Sequence, residues 1–182
     1  MKLVGISGAL AGYKTYTVIH KVLQAAKSFD SDIEIELIDL KDYDVEFVKG
    51  TPLSYYNADT VKVVDTILAA DCIVIGTPIY QASITGALKN LLDHLPVEAL
   101  LNKVTGLIAT GGTDKHYLVL DYHLKPILSF LKGVVPDNSV YVLNDHFDEE
   151  NEIHDANINR RIKKLGEDII QLQKLVNEKS KI

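Results

Sequence analysis

Residues 5–17, GISGALAGYKTYT, carry side chains that could bind a phosphate. The segment contains three glycines, then a lysine and two threonines, Thr15 and Thr17. Hydroxyl and backbone N–H groups at the start of a helix suit an anion, because the positive end of the helix dipole lies there. We therefore expect one terminal phosphate here, with Lys14 adding a positive charge. The alternative is that Thr15 or Thr17 only caps the helix.

The glycine spacing does not match the loops that bind triphosphates or dinucleotides. In the pattern G-x-x-x-x-G-K-[ST], Gly8 takes the first glycine position, but Tyr13 takes the second. A residue with a Cβ atom does not easily make the turn needed there. The glycines at positions 5, 8 and 12 do not form G-x-G-x-x-G either. The spacing thus favours a monophosphate.

Two later segments could enclose a flat ring. In GTPIYQASITGALKNLLDHLP (residues 76–96), Thr77-Pro78 ends a strand and places Tyr80 on the following loop. The Tyr80 ring could form a wall of a ligand site or pack against protein. In ATGGTDKH (residues 109–116), two adjacent glycines could bring bare amides close to a ligand or form a tight turn.

No other reactive centre is evident in the sequence. The six histidines show no metal-binding spacing and no Ser-His-Asp set is present, so we predict no metal site and no catalytic acid, base or nucleophile. Cys72 is the only cysteine, which excludes an intrachain disulfide. Its position in the apolar run DCIVIG predicts a buried, unreactive thiol.

The composition is typical of a globular protein in a reducing compartment. The chain has 182 residues, 47% of them hydrophobic and 24% charged, and a net charge of −6. These values favour a single domain over residues 1–182 and argue against nucleic-acid or membrane-surface binding. No apolar segment approaches the about 20 residues that span a bilayer, and MKLVGIS is too short for a signal peptide. We therefore expect a cytoplasmic protein.

Alternating strand and helix patterns must position the three segments. Strands are predicted over residues 2–7, 33–38, 72–76, 104–110 and 139–143, and helices over residues 17–27, 58–70, 84–95, 115–132 and 153–178. This alternation predicts an α/β fold with a doubly wound parallel sheet and helices on both faces. The alternating IEIELI strand is expected at an edge. Ligands should bind in the loops after strands one, three and four.

Three motifs together resemble a known family. The small-residue first loop, T-P-x-Y-x-x-x-x-x-G-A-L-K-N-x-L-D and A-T-G-G-T are similar to those of the NAD(P)H-dependent FMN reductases of the flavodoxin-like fold. ATGGTDKHYLVLDYHLKPIL resembles the members that supply reduced FMN to alkanesulfonate monooxygenases. The resemblance runs from residue 2 to about residue 135. It implies a five-stranded sheet of order 2-1-3-4-5 and hydride transfer from NADPH or NADH to N5 of FMN.

The resemblance also implies which residues bind the flavin. The first segment would surround the phosphate, and the other two would line the isoalloxazine. The implied FMN-binding residues are Ala9, Lys14, Thr15, Tyr16, Thr17, Pro78, Ile79, Tyr80, Gln81, Thr110, Gly111, Gly112 and Thr113. Related enzymes form homodimers or homotetramers through the helices after strands three and four. A flavin-dependent monooxygenase is the implied partner.

The first segment departs from the family pattern at two positions. Many members have serine at position 9 and arginine near position 11, where this chain has Ala9 and Ala11. Loss of an arginine–phosphate contact predicts FMN binding weaker by about 1–3 kcal/mol, which would suit a flavin released as product. Three other functions stay open: an FMN-bound reductase of quinones, azo dyes or metal oxyanions, a flavodoxin-like electron carrier, and an oligomeric scaffold with a degenerate flavin site.

Overall fold

The structure, a computed structural model, describes residues 1–179 and contains one sheet of five parallel strands. The strand order is β2-β1-β3-β4-β5, which confirms the predicted order. The strands are β1 (Lys2–Ser7), β2 (Glu34–Asp39), β3 (Cys72–Pro78), β4 (Thr105–Gly111) and β5 (Val140–Leu143). The α-helices are α1 (Lys14–Phe29), α2 (Ala58–Ala69), α3 (Gly86–Asp93), α4 (Lys125–Phe130) and α5 (Ala156–Lys179). The predicted domain limit, residue 182, lies outside the described residues.

The apolar runs of the sequence become the buried strands. β1, β3 and β4 are buried at nearly every position, whereas β2 begins exposed and is buried only at Ile38 and Asp39. The position of β2 at the sheet edge confirms the expectation from its alternating pattern. β3 is longer than predicted, because its pairing with β4 continues to Pro78, opposite Thr110.

Two apolar layers fix the positions of the strand ends. α1 and α5 cover one face of the sheet, where Val22 and Leu165 are fully buried. α2, α3 and α4 cover the other face with Ile67, Leu88 and Leu128. Burial of each such side chain contributes about 1.5–3 kcal/mol, so the loops at the strand ends rest on a rigid support. Within residues 1–179, no helix combines the length and apolarity needed to cross a membrane.

α1 begins earlier than its apolar pattern predicted. It begins at Lys14 rather than at residue 17, so that Thr15 lies in the first turn. Tyr13 precedes the helix and its side chain caps no N–H group. The alternative that Thr15 or Thr17 caps α1 is therefore wrong.

The predicted helix over residues 115–132 is interrupted. It consists of a 3-10 turn at Asp114–His116, a π-helix at Leu120–Leu124, and α4. Pro126 lies at the start of α4 and has no N–H group to donate to the preceding turn. The regular α-helical hydrogen bonds therefore cannot run through this position, and the wider π-helix precedes it.

Candidate functional site

A cleft of about 270 Å3 lies at the carboxyl ends of the strands. Three loops meet there: the first loop (residues 8–13) after β1, the second loop (residues 79–85) after β3, and the third loop (residues 112–116) after β4. The structure brings together these predicted residues in its walls: Lys14, Thr15, Pro78, Ile79, Tyr80, Thr110, Gly111 and Gly112. Residues of all three segments selected from the sequence therefore line one cleft.

Two further predicted residues line a neighbouring cavity. Gln81 and Thr113 border a space of about 450 Å3 that shares Ile79 and Gly112 with the cleft. The two cavities are thus separated only by the ends of the second and third loops.

The other predicted residues of the first segment point away from the cleft. Ala9, in the first loop, is buried with 4% of its surface exposed. The Tyr16 ring stacks on His20, with ring centroids 6.0 Å apart. Thr17 is half-buried, and its N–H group donates to the Tyr13 carbonyl at 2.8 Å. These side chains do not line the cleft.

The first turn of α1 presents N–H groups at one end of the cleft. The first N–H groups of an α-helix have no carbonyl partner within the helix. Gly12 has a φ of +76°, a left-handed conformation that favours glycine, and the space beside its Cα atom is open. The chain can therefore enter α1 without a side chain covering these N–H groups.

Thr15 connects this helix to the middle of the sheet. Its hydroxyl lies 2.8 Å from the hydroxyl of Thr110, the next-to-last residue of β4. Thr15 and Thr110 are 3% and 4% exposed, so the bond is shielded from solvent. Either hydroxyl can donate. The pair fixes the start of α1 relative to the third loop.

Thr85 holds the first and second loops together beneath the cleft. Its hydroxyl donates to the Gly8 carbonyl at 2.7 Å and accepts a bond from the Leu88 N–H, which caps α3. Its own N–H donates to the buried Thr77 hydroxyl at 3.2 Å. These bonds join the first loop, the end of β3 and the start of α3 into one hydrogen-bonded unit.

The second loop contains a tight hairpin turn over residues 80–83. Tyr80 and Ser83 exchange two backbone hydrogen bonds of 3.1 Å. The intervening Gln81 and Ala82 have φ values of 47° and 60°, left-handed conformations that cost about 1–2 kcal/mol for a residue with a Cβ atom. The turn holds the Tyr80 ring at the cleft with 51% of its surface exposed. Strained backbone of this kind often lies at ligand sites.

Two asparagines complete the cleft and were not predicted. Asn144 and Asn151 line it from the segment after β5. The Lys14 ammonium donates to the Asn144 side-chain oxygen at 3.1 Å and lies 5.1 Å from the centre of the Phe147 ring. Lys14 is thus directed across the cleft toward this wall. The position of Asn144 directly after a strand was the only sequence signal for it.

A second lysine fixes the outer side of the first loop. The Lys41 ammonium lies 4.2 Å from the centre of the Tyr13 ring and 2.7 Å from a carboxylate oxygen of buried Asp39. The hydrogen bond to Asp39 raises the pKa of Lys41. Tyr13, which replaces the second glycine of a triphosphate loop, is therefore held against Lys41.

Other features of the described residues offer little chemistry. A cavity of about 610 Å3 lies between α1 and α5, but it is remote from the strand ends and the three loops. Residues 1–179 contain no group of three or more His, Cys, Asp or Glu side chains placed to bind a metal ion. Cys72 is buried, which raises the pKa of its thiol to about 12 and keeps it protonated at neutral pH.

Comparison with known proteins agrees with this geometry. Residues 1–148 match the family model described as NADPH-dependent FMN reductase. The chain belongs to the NADPH-dependent FMN reductase family. An NAD(P)H-dependent FAD/FMN reductase of Geobacillus thermodenitrificans is 49% identical over 172 residues, which cover 94% of this chain and 93% of the relative.

Solved structures show the same fold. The apo form of an NADH:FMN oxidoreductase, EMOB, is 30% identical and superposes with a TM-score of 0.74, covering 91% of this chain and 88% of the other. A flavodoxin from the Archaea superposes with a TM-score of 0.68 at 14% identity, covering 96% of this chain and 99% of the other. The flavodoxin-like fold of this member of the FMN reductase family is thereby confirmed.

Proposed function

We propose that this protein is an NAD(P)H-dependent FMN reductase that binds FMN in the cleft between the three loops. The main support for the proposal is that three features line the same cleft: the uncapped start of α1, the Tyr80 turn and the Gly111-Gly112 backbone. This arrangement supplies the three things that FMN requires: anion donors, a ring wall and backbone groups that reach the ring edge.

The phosphate end of FMN fits the start of α1. The N–H groups of the first helical turn suit a phosphate monoester. Lys14 and Thr15, the first two residues of α1, both line the cleft at this end. Ala9 and Ala11 add neither a hydroxyl nor a guanidinium, so Lys14 is the only cationic side chain of residues 5–17. This donor set favours FMN binding that is weaker than in arginine-bearing members.

The isoalloxazine fits between the second and third loops. Pro78, Ile79 and the half-exposed ring of Tyr80 offer an apolar wall. Gly111 and Gly112 have no side chain, so their backbone can approach the polar edge of the ring. The neighbouring cavity, which Gln81 and Thr113 line, leaves space beside the ring for a second flat molecule.

The protein residues act by binding and orienting. FMN, when bound, supplies the chemistry by accepting a hydride from the nicotinamide and passing on the electrons. Hydride transfer between two rings depends on their alignment. The hydrogen bonds of Thr85 and the turn that positions Tyr80 contribute to this alignment. Among residues 1–179, those that line the cleft include no histidine, cysteine or carboxylate side chain, and we propose no catalytic acid, base or nucleophile.

We further propose that the enzyme is a homodimer or homotetramer formed through the segments after β3 and β4. The segment after β4 exposes large aromatic side chains in the single chain: Tyr117 is 58% exposed, Tyr122 71% and Phe130 64%. Burial of this surface between subunits would be favourable. Light scattering should give two or four times the chain mass of 20.2 kDa, and a single-chain mass would contradict the proposal.

The cellular setting forms part of the same proposal. A single buried cysteine is compatible with the cytoplasm, where thiols stay reduced. Weak FMN binding favours release of the reduced flavin to a partner, which we propose to be a flavin-dependent monooxygenase. We also propose that residues 1–182 act as one FMN-binding domain.

Oxidation of NADH and of NADPH, with and without added FMN, tests the function. We expect oxidation that depends strictly on added FMN and saturates with its concentration. Activity that appears only with a quinone would instead support the FMN-bound reductase. Failure of both nucleotides to react under any condition would contradict a reductase and favour an electron carrier or a scaffold.

A further inference from the structure

Tyr141 of the edge strand β5 supports the third loop through a hydrogen bond. Tyr141 lies in β5 opposite Ala109 of β4. Its hydroxyl donates a hydrogen bond of 2.8 Å to the Thr113 carbonyl. The side chain therefore spans from the middle of β5 to the loop that follows β4. Tyr141 does not line the cleft, and neither the sequence motifs nor the family resemblance pointed to it.

The Tyr141 hydroxyl also lies directly against Gly111. A Cβ atom at position 111 would collide with this oxygen and would lie 3.0 Å from the Cζ atom of the ring. Position 111 thus requires glycine, because a Cβ atom there would prevent this close approach of the Tyr141 side chain. The backbone at Gly111 is in contact with Tyr141 on one side and borders the cleft on the other.

The bond to Thr113 fixes the orientation of a peptide unit. In a trans peptide, the C=O and the following N–H point in opposite directions. Because the Thr113 carbonyl is directed to Tyr141, the Asp114 N–H is directed the other way. The Thr113 hydroxyl accepts a weak bond of 3.3 Å from the Lys115 N–H, which continues the turn. The Tyr141 hydroxyl therefore orients the Thr113–Asp114 peptide at the start of the third loop.

The environment of Tyr141 keeps this hydroxyl a donor. The side chain is half-buried and packs against the core on the α3 face of the sheet. Burial, with a smaller contribution from Asp114, raises the pKa of Tyr141 above its ordinary value. The bond to Thr113 therefore persists at neutral and mildly alkaline pH.

We propose that Tyr141 is a positioning residue for the flavin, which clamps the Gly111–Thr113 backbone in the conformation that meets the ring edge. The inference rests on the proposed FMN site. Tyr141 acts through the loop and does not touch the flavin itself. Loss of the hydroxyl should leave the fold intact, since the ring remains, but should release the loop.

The test compares Tyr141→Phe with a matched variant, Tyr56→Phe. The Tyr56 hydroxyl also holds a loop, by accepting a bond of 2.6 Å from the Lys49 N–H, but it lies outside the cleft. Hydrogen–deuterium exchange of the flavin-free proteins reports on the loops. Fluorescence titration and the visible spectrum of bound FMN report on the site.

Tyr141→Phe should increase exchange in residues 111–116 and raise the FMN dissociation constant by about 3- to 10-fold, as expected for one lost hydrogen bond. The spectrum of the bound flavin should shift, because the backbone near its polar edge moves. Tyr56→Phe should change none of these. Unchanged exchange in residues 111–116, or faster exchange with a wild-type dissociation constant and spectrum, would overturn the proposal. Failure of the wild-type protein to bind FMN would instead refute the proposed site.

A double variant separates positioning from general loosening. Gly111→Ala should itself displace the Tyr141 hydroxyl, so Tyr141→Phe should add little in the Gly111→Ala background. The rise in the dissociation constant of the double variant should stay well below the product of the two single rises. Independent, multiplying effects would show that Tyr141 does not act through Gly111 and would overturn the proposal.

Discussion

Removing the hydroxyl of Thr15 should destabilise the protein measurably, because that hydroxyl is buried and has one partner. Thr15→Val keeps the shape of the side chain but deletes the 2.8 Å bond to Thr110. Thr110 is only 4% exposed, so its hydroxyl would lose both a bond and most access to water. One lost bond together with one unsatisfied buried hydroxyl corresponds to about 2 kcal/mol. For a chain of this length, the melting temperature should fall by about 4–8 °C.

The double variant Thr15→Val/Thr110→Val makes this prediction sharper. Replacing both partners by apolar groups removes the unsatisfied hydroxyl. The double variant should therefore lose less free energy of unfolding than the two single variants lose in sum. Urea unfolding of the wild type, both single variants and the double variant measures this coupling. Thr66→Val is the control, because its hydroxyl bonds the Lys62 carbonyl within the same helix on the surface. A Thr15→Val stability equal to that of the wild type, or strictly additive losses, would refute the reasoning.

Three more predictions concern the first loop, the second loop and the buried thiol of β3. Ala11→Arg should tighten FMN binding by about 5- to 30-fold in a fluorescence titration at low salt, since a guanidinium gains a charged hydrogen bond to the phosphate. If Ala11→Gln binds FMN as tightly as Ala11→Arg, this prediction is contradicted. Ala82→Gly should raise the melting temperature by about 2–4 °C, because glycine relieves the φ of 60°, whereas Ala25→Gly in α1 should lower it. Cys72 should resist a thiol reagent at pH 8 in the folded protein and react after unfolding, because burial holds its thiol pKa at about 12; rapid reaction of the folded protein would contradict this.

The fold and the three loops could be predicted because their signals are local. Apolar runs define the buried strands, and the Thr77-Pro78 and Gly111-Gly112 pairs mark the points where the chain leaves β3 and β4. Once the strands are parallel and ordered 2-1-3-4-5, these loops must meet at the carboxyl ends of the strands. The resemblance to the FMN reductases then added the ligand.

Details that depend on helix phase or distant contacts could not be predicted. Tyr16 follows Thr15 by one residue, which is about 100° around α1. When the Thr15 hydroxyl bonds Thr110 of the sheet, the Tyr16 ring therefore stacks on His20. Asn144 lies at the cleft because β5 pairs with β4, but no motif after β5 marks this residue in the sequence. The Gln81-Ala82 turn lacks the glycine that normally marks left-handed turns, so its geometry had no sequence signal.

The ratio of the riboflavin and FMN dissociation constants reports on phosphate binding in the cleft, because the two ligands differ only in the terminal phosphate. If the start of α1, Lys14 and Thr15 bind that phosphate, FMN should bind at least about tenfold tighter than riboflavin, which corresponds to about 1.4 kcal/mol. The ratio should decrease in Lys14→Ala. Equal dissociation constants for the two flavins would contradict a phosphate site in the first loop.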